Sequence, residues 1–219
     1  MEHETEVAPD ANALAAMAAS YVVSLAKAAV VARGRFTFAV SGGHTPWAMF
    51  DALRAEYMPW AQVELFQVDE RVAPDGDPDR NLTHLRQSIG DVLAQVHPMP
   101  VTYPDLEAAA ADYAAVLPQR FDLLHLGLGP DGHTASLVPG DPVLEVTDKL
   151  VGVTQPYQGH QRMTLTYPAL ARADQLLWLV AGPDKRDAMA KLLAGDDSIP
   201  AGRVRATRSL IMADESAAP

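Results

Sequence analysis

The residues best suited to chemistry lie in Phe121 to Ser136, FDLLHLGLGPDGHTAS, where an apolar run ends abruptly in a glycine-rich loop carrying Asp131, Gly132 and His133. A histidine, with an unperturbed pKa of about 6.5, can take and return a proton at neutral pH, and a neighbouring carboxylate can fix its tautomer. Open α/β sheets bind ligands in the crevice outside the carboxyl ends of their strands, so a carboxylate and an imidazole at a strand end suggest an active site. Alone, however, Asp-Gly is a common turn pair, and Thr134 after it would cap a helix.

Other loops invite the same question. Ser41-Gly42-Gly43-His44-Thr45-Pro46 follows the short apolar run FTFAV. Paired glycines let the backbone approach a ligand, and the N-terminus of a following helix offers free amides and the positive end of its dipole, which suits a phosphate. The loop lacks the Gly-Lys-Ser/Thr of a Walker loop and the three-glycine dinucleotide fingerprint. Asp69-Glu70-Arg71 closes VELFQV, a position from which Asp69 and Arg71 face the crevice. Arg162 opens RMTLTY, and Lys185 lies in Gly182-Pro183-Asp184-Lys185 just after another apolar run. A fork-like Arg and a point-charge Lys are the two cations that a phosphate needs. His44 and His160 have no carboxylate partner in sequence, and no ligand spacing points to a metal.

The elements that position these loops alternate between helix and strand. Helices are predicted over 12–33, ended by Gly34, and over 46–57, 81–96, 105–117 and 183–194; strands are predicted over 36–40, 63–68, 121–126, 150–153, 162–167, 175–181 and 209–212, with an extended piece at 99–103. The Pro-, Gly- and Asp-rich 73–80 reads as an exposed loop. This pattern predicts an α/β fold, doubly wound around a mainly parallel sheet with helices on both faces. One domain over 1–219 is expected, its core at about 10–213 and its tail frayed after Asp214.

Composition narrows the chemistry. The chain of 219 residues is 48% hydrophobic and carries 17 Lys and Arg against 28 Asp and Glu, a net charge of −11. With no basic block, nucleic acid is an unlikely partner by electrostatics. Lysine occurs only at positions 27, 149, 185 and 191, and cysteine not at all, which excludes disulfides, thiolate nucleophiles and Cys-based metal sites. The start, MEHETEVAPD, lacks the basic and apolar regions of a signal peptide, and no apolar run approaches the ~20 residues of a membrane span, so no membrane partner and a cytoplasmic location are expected.

Taken together, SGGHTP, DER, GLGPDGHTASLVPG and RMTLTYPAL resemble the 6-phosphogluconolactonase family in content, order and spacing, from the first helix to the ending DESAA. The resemblance implies a Rossmann-like fold and hydrolysis of 6-phospho-D-glucono-1,5-lactone to 6-phospho-D-gluconate, in the oxidative pentose phosphate pathway, without cofactor or metal, by a monomer or homodimer. Carried onto matching positions, it makes His133 catalytic with Asp131 beside it. Ser41, Gly42, Gly43 and Thr45 would line the sugar-phosphate site, Arg162 and Lys185 would bind the phosphate, and Asp69 and Arg71 would complete the pocket. Two departures stand out: the family's Pro-Lys-Pro-Pro-rich stretch reads Gln155-Pro156-Tyr157-Gln158-Gly159-His160-Gln161 here, with Tyr157 in place of the Lys, and Arg80 stands where a Ser commonly precedes Asn81. The related deaminases carry an Asn-Glu-Pro-like element soon after the His; here the stretch is Leu137-Val138-Pro139, which ranks sugar-phosphate isomerisation below lactone hydrolysis. A non-catalytic sugar-phosphate-binding domain would need neither Asp131 nor His133.

Overall fold

Strict two-residue alternation on the long strands builds two hydrophobic layers with one sheet between them. The computed structural model describes residues 2–219. Its strands are β1 (Glu4–Ala8), β2 (Phe36–Val40), β3 (Val63–Gln67), β4 (Asp69–Arg71), β5 (Gln95–His97), β6 (Phe121–Leu126), β7 (Val151–Val153), β8 (Arg162–Leu165), β9 (Ala173–Val180) and β10 (Arg208–Asp214). Its helices are α1 (Ala11–Arg33), α2 (His44–Ala55), α3 (Asn81–Ile89), α4 (Leu106–Val116), α5 (Tyr167–Leu170) and α6 (Arg186–Leu193). Seven strands form a wholly parallel sheet in the order β1-β10-β9-β6-β2-β3-β5. Leu177 and Leu179 of β9 and Leu210 and Met212 of β10 face a core shared with α1, α2 and α3, whereas Leu176, Trp178, Val180, Ile211 and Ala213 face the core shared with α4 and α6. The fold is therefore the expected doubly wound α/β architecture.

Strand order reverses between β2 and β6, which are neighbours in the sheet although the chain passes through β3 and β5 between them. The two carboxyl ends at this switch point carry the Ser-Gly-Gly and Gly-Pro-Asp-Gly-His loops. A second sheet, β4-β8-β7, is antiparallel and was not foreseen. Only Val68 separates β3 from β4; its N–H donates to Val40 and its carbonyl accepts from Leu165, so the chain steps from one sheet to the other there.

Several boundaries differ from expectation for local reasons. The helix predicted over 46–57 starts at His44, so Pro46 is its third residue. The helix predicted over 81–96 stops at Gly90, whose φ of 61° suits glycine, and the chain re-enters the large sheet as edge strand β5; the extended piece predicted at 99–103 is a turn. Strand β1 was missed, because it is acidic, exposed and held by backbone pairing with β10. The tail is not frayed: Asp214 accepts from the Ala217 amide and the Ser216 hydroxyl, and Ala217 is buried. At 23 residues, α1 is long and apolar enough to cross a membrane by composition, contrary to the sequence reading. Its Leu14, Ala18, Val22 and Ala26 are nevertheless buried against the sheet, as in a core helix.

Candidate active site

A cleft of about 360 Å³ opens at the switch point. Its walls bring together Ser41, Gly42, Gly43, Thr45, Asp69, Arg71, His133, Arg162 and Lys185, which were separated by up to 144 positions in the chain (185 − 41). Of the residues singled out from sequence, only Asp131 stays outside the lining, behind His133. His44, set aside in the sequence reading, is also on the wall.

The loop after β6 presents the histidine. Gly132 donates to the Gly129 carbonyl and Gly129 to that of His133, which closes a tight turn. Asp131 Oδ1 accepts the His133 amide at 3.1 Å and lies 2.5 Å from His133 Nδ1. Partial burial opposes ionisation of Asp131, but the hydrogen bonds from the His133 amide and ring, with the ring's charge, outweigh it and hold the carboxyl below the usual carboxylate range. An ionised Asp131 can only accept, so Nδ1 carries the hydrogen and Nε2 keeps its lone pair. A Cβ on Gly129 would lie 2.1 Å from His133 Nδ1, so no other residue at 129 leaves room for the ring.

Opposite stands the start of α2. Gly43 is its N-cap and gives no side-chain hydrogen bond, so the first-turn amides of His44 and Thr45 lack intrahelical acceptors and the positive dipole end points outward. The approach depends on Gly42, where a Cβ would lie 2.0 Å from Asn81 Oδ1. Beneath the loop, the Ser41 amide donates to Nδ1 of the fully buried His125, whose Nε2 has no partner among the described residues. Burial lowers the His125 pKa to about 3. Between pH 3 and the ordinary value of about 6.5, the unfolded chain then binds a proton at this position that the folded chain does not, so stability falls on acidification by about 1.4 kcal/mol per pH unit from this group. Urea unfolding between pH 4 and 6 should show this slope, and His125→Gln should lose one proton's worth of it; equal slopes would count against a neutral buried imidazole.

The strand β4 divides its three charges between two faces. Asp69 and Arg71 point to the cleft, while Glu70 points away and is fully buried. Asp69 accepts from the hydroxyls of Ser41 and Ser136, at 3.2 and 2.7 Å, and from Asn81 Nδ2 at 3.3 Å. It acts as a hub joining two loops and the start of α3. Arg71 donates to Asn81 Oδ1 at 2.8 Å. Glu70 caps α3 from outside: its carboxylate accepts the amides of Asn81 and Leu82 at 2.7 and 2.8 Å, takes a hydrogen bond from Gln67, and pairs with buried Arg80 at 3.2 Å. Asn81, Ser136, Glu70 and His125 were given no role by the sequence reading, because their roles depend on partners far along the chain.

Two cations complete the walls. Arg162 is 4% exposed, its Nε has no partner among the described residues, and its guanidinium sits 5.1 Å from the centre of the Tyr157 ring. Burial and the nearby Arg71 weaken its hold on the proton, and Asp69 opposes them. Lys185 pairs with its neighbour Asp184 at 2.9 Å. Among the described residues, no cluster of three or more His, Asp or Glu side chains could hold a metal ion.

Comparison with known proteins agrees with this layout. The family model described as glucosamine-6-phosphate isomerases/6-phosphogluconolactonase matches residues 9–212. A 6-phosphogluconolactonase of Mycobacterium tuberculosis is 38% identical over an alignment that covers all of this chain and 98% of that protein. The solved structure of a 6-phosphogluconolactonase from Shewanella baltica superposes with a TM-score of 0.89 at 26% identity, covering 97% of this chain and 98% of that one. A monomeric glucosamine-6-phosphate deaminase shares the fold, with a TM-score of 0.86 at 17% identity and 98% of each chain covered. With a family model spanning nearly its whole length and a full-length relative at such identity, this chain belongs to the glucosamine-6-phosphate isomerase/6-phosphogluconolactonase family.

Proposed function

We propose that this chain is a 6-phosphogluconolactonase that hydrolyses 6-phospho-D-glucono-1,5-lactone to 6-phospho-D-gluconate, the lactone-opening step of the oxidative pentose phosphate pathway, and that all 219 residues work as one unit. The observation that carries the proposal is His133, backed by Asp131, on the wall of a cleft whose other walls hold a free helix N-terminus and the cations Arg71, Arg162 and Lys185. Such a site binds an anionic sugar and offers it one base.

His133 Nε2 takes a proton from water as the oxygen attacks the lactone carbonyl carbon. The carbon–ring-oxygen bond then breaks, and the same proton passes to the departing ring oxygen, which becomes a hydroxyl. Arg71 or the amides of the Gly42–Gly43 loop stabilise the carbonyl oxygen while it is anionic. The phosphate, held by Arg162, Lys185 and the Ser41–Thr45 loop, fixes the lactone against the base. The lactone needs no serine nucleophile.

A deaminase, the activity named for one fold neighbour, would need a free carboxylate to move a proton between carbons. Both oxygens of Asp69 are committed to Ser41, Ser136 and Asn81, and the stretch after His133 reads Leu137-Val138-Pro139. The test is a dehydrogenase-coupled assay with freshly made lactone, corrected for spontaneous opening, run beside glucosamine 6-phosphate. Acceleration of lactone opening alone supports the reading, and ammonia release from the amino sugar overturns it. Lys185→Ala should weaken 6-phosphogluconate binding about 10- to 100-fold, the loss of one charge-assisted contact, and leave gluconate binding unchanged. Equal losses for both ligands, read by calorimetry, would remove Lys185 from the phosphate site.

A further inference from the structure

The segment that replaces the family's Pro-Lys-Pro-Pro-rich stretch forms a narrow turn beside the cleft. Tyr157 and His160 pair across it, and Gln158 at its tip has a φ of 50°, a left-handed conformation that a non-glycine residue holds only when its surroundings demand it. The surroundings are a continuous run of polar contacts. One terminal nitrogen of Arg162 lies 3.4 Å from Gln158 Oε1; Gln158 Nε2 lies 3.3 Å from the Tyr157 hydroxyl; that hydroxyl lies 3.4 Å from Asp131 Oδ2; and Asp131 Oδ1 meets His133 Nδ1. The Tyr157 ring meets that of His133 edge-on at 5.8 Å.

Donors and acceptors in this run can be assigned in one direction only. Arginine donates but never accepts, so Gln158 must receive it through its carbonyl and turn its amide to Tyr157. The tyrosine oxygen accepts that amide and spends its single hydrogen on Asp131. Burial and the adjacent Asp131 carboxylate both raise the tyrosine's pKa, so it keeps this hydrogen. Asp131, with one oxygen on Tyr157 and the other on His133, is held in a single rotamer. The contacts at 3.3 to 3.4 Å are long, as contacts around a catalytic group often are before a ligand binds.

We propose that Tyr157 is a positioning residue for His133: its hydroxyl fixes Asp131 and moderates that carboxylate's pull on the imidazole, while its ring carries the anion-binding Arg162, so that occupancy of the anion site is transmitted to the base. Tyr157 does not line the cleft and acts through its neighbours. The inference deepens the lactonase reading and rests on it for its kinetic arm.

Two substitutions separate the two roles. Tyr157→Phe keeps the ring under Arg162 and removes the hydroxyl's contacts with Asp131 and Gln158; Tyr157→Ala removes the ring as well. For Tyr157→Phe, kcat should fall about 3- to 10-fold, as for one weak hydrogen bond, with KM unchanged. The carboxylate that has lost a donor holds the imidazolium proton more tightly, so the acid limb of the pH–rate profile should move to higher pH. The other charged or titratable side chains lining the cleft, His44, Asp69, Arg71, Arg162 and Lys185, are not altered by the change. Tyr157→Ala should add a rise in KM. A Tyr157→Phe enzyme with the wild-type kcat and pH profile overturns the inference, as does a change in KM alone. An inactive wild-type protein would defeat the lactonase reading instead. In that case the His133 ring titration followed by NMR decides the inference: a midpoint at higher pH in Tyr157→Phe supports it, and coincident curves overturn it.

Discussion

His133→Ala is expected to lower the enzymatic rate of lactone opening by about 10²- to 10⁴-fold, the usual contribution of a positioned acid–base group. The ring stands in an open cleft and is attached to the fold through the Asp131 contact and the backbone turn at Gly129, so its removal opens no cavity in either core. Folding should therefore be intact and 6-phosphogluconate should bind nearly as before, because Arg162, Lys185 and the start of α2 are unaffected. The measurement is the coupled rate at saturating lactone minus the spontaneous rate, beside a calorimetric titration with the product. A residual rate equal to the wild type's would remove His133 from the chemistry, whereas lost activity together with lost binding would make it a structural residue. The split between the two readouts also separates an enzyme from a domain that only binds sugar phosphate.

The largest effect on stability is expected at Glu70. Its carboxylate accepts four hydrogen bonds, from Gln67, Arg71, Asn81 and Leu82, and faces the Arg80 guanidinium, all out of water. Glu70→Ala leaves two amides of α3 unsatisfied and strips Arg80 of its buried partner. Removing one member of a buried ion pair costs about 3–5 kcal/mol; because Arg80 keeps a bond to Asp75, the lower end is expected. For a chain of this size about 3 kcal/mol corresponds to a fall in Tm of roughly 6–12 °C. The damage should reach the cleft as well, since Asn81 is the residue that Glu70 seats, and Asn81 holds Arg71 and Asp69. KM should rise in the surviving folded protein. A Tm within a degree of wild type would show that the network is dispensable.

These two residues mark how much could be read before folding. His133, Asp131 and the glycine loops were legible because each follows an apolar run that had to be a buried strand, and buried parallel strands deliver their loops to one edge; β2 and β6 were placed to the residue. Glu70 was read as one of three charges in a loop, since nothing local says that a three-residue strand will turn the middle one inward. The small antiparallel sheet was invisible for the same reason: its strands are three or four residues long and are defined by partners far along the chain. Strand β1 lacks any apolar alternation to announce it. His125 and Ser136 looked like ordinary members of a strand and a loop, and only the fold sets them under Ser41 and Asp69.

The pairing of β1 with β10 has a consequence in time. Glu4 to Ala8 align with Leu210 to Asp214, the Glu215 amide donates to Ala8, and His3 meets Ser209, 206 positions away. During synthesis at about 5–20 residues per second, β1 must wait roughly 10–40 s for β10, which lies 206 positions further along. An apolar strand left unpaired for so long would invite aggregation; this one reads Glu-Thr-Glu-Val-Ala, and its first four residues remain exposed even in the finished sheet. Its negative charge, which made it unreadable as a strand, keeps it in solution until β10 arrives to pair with it.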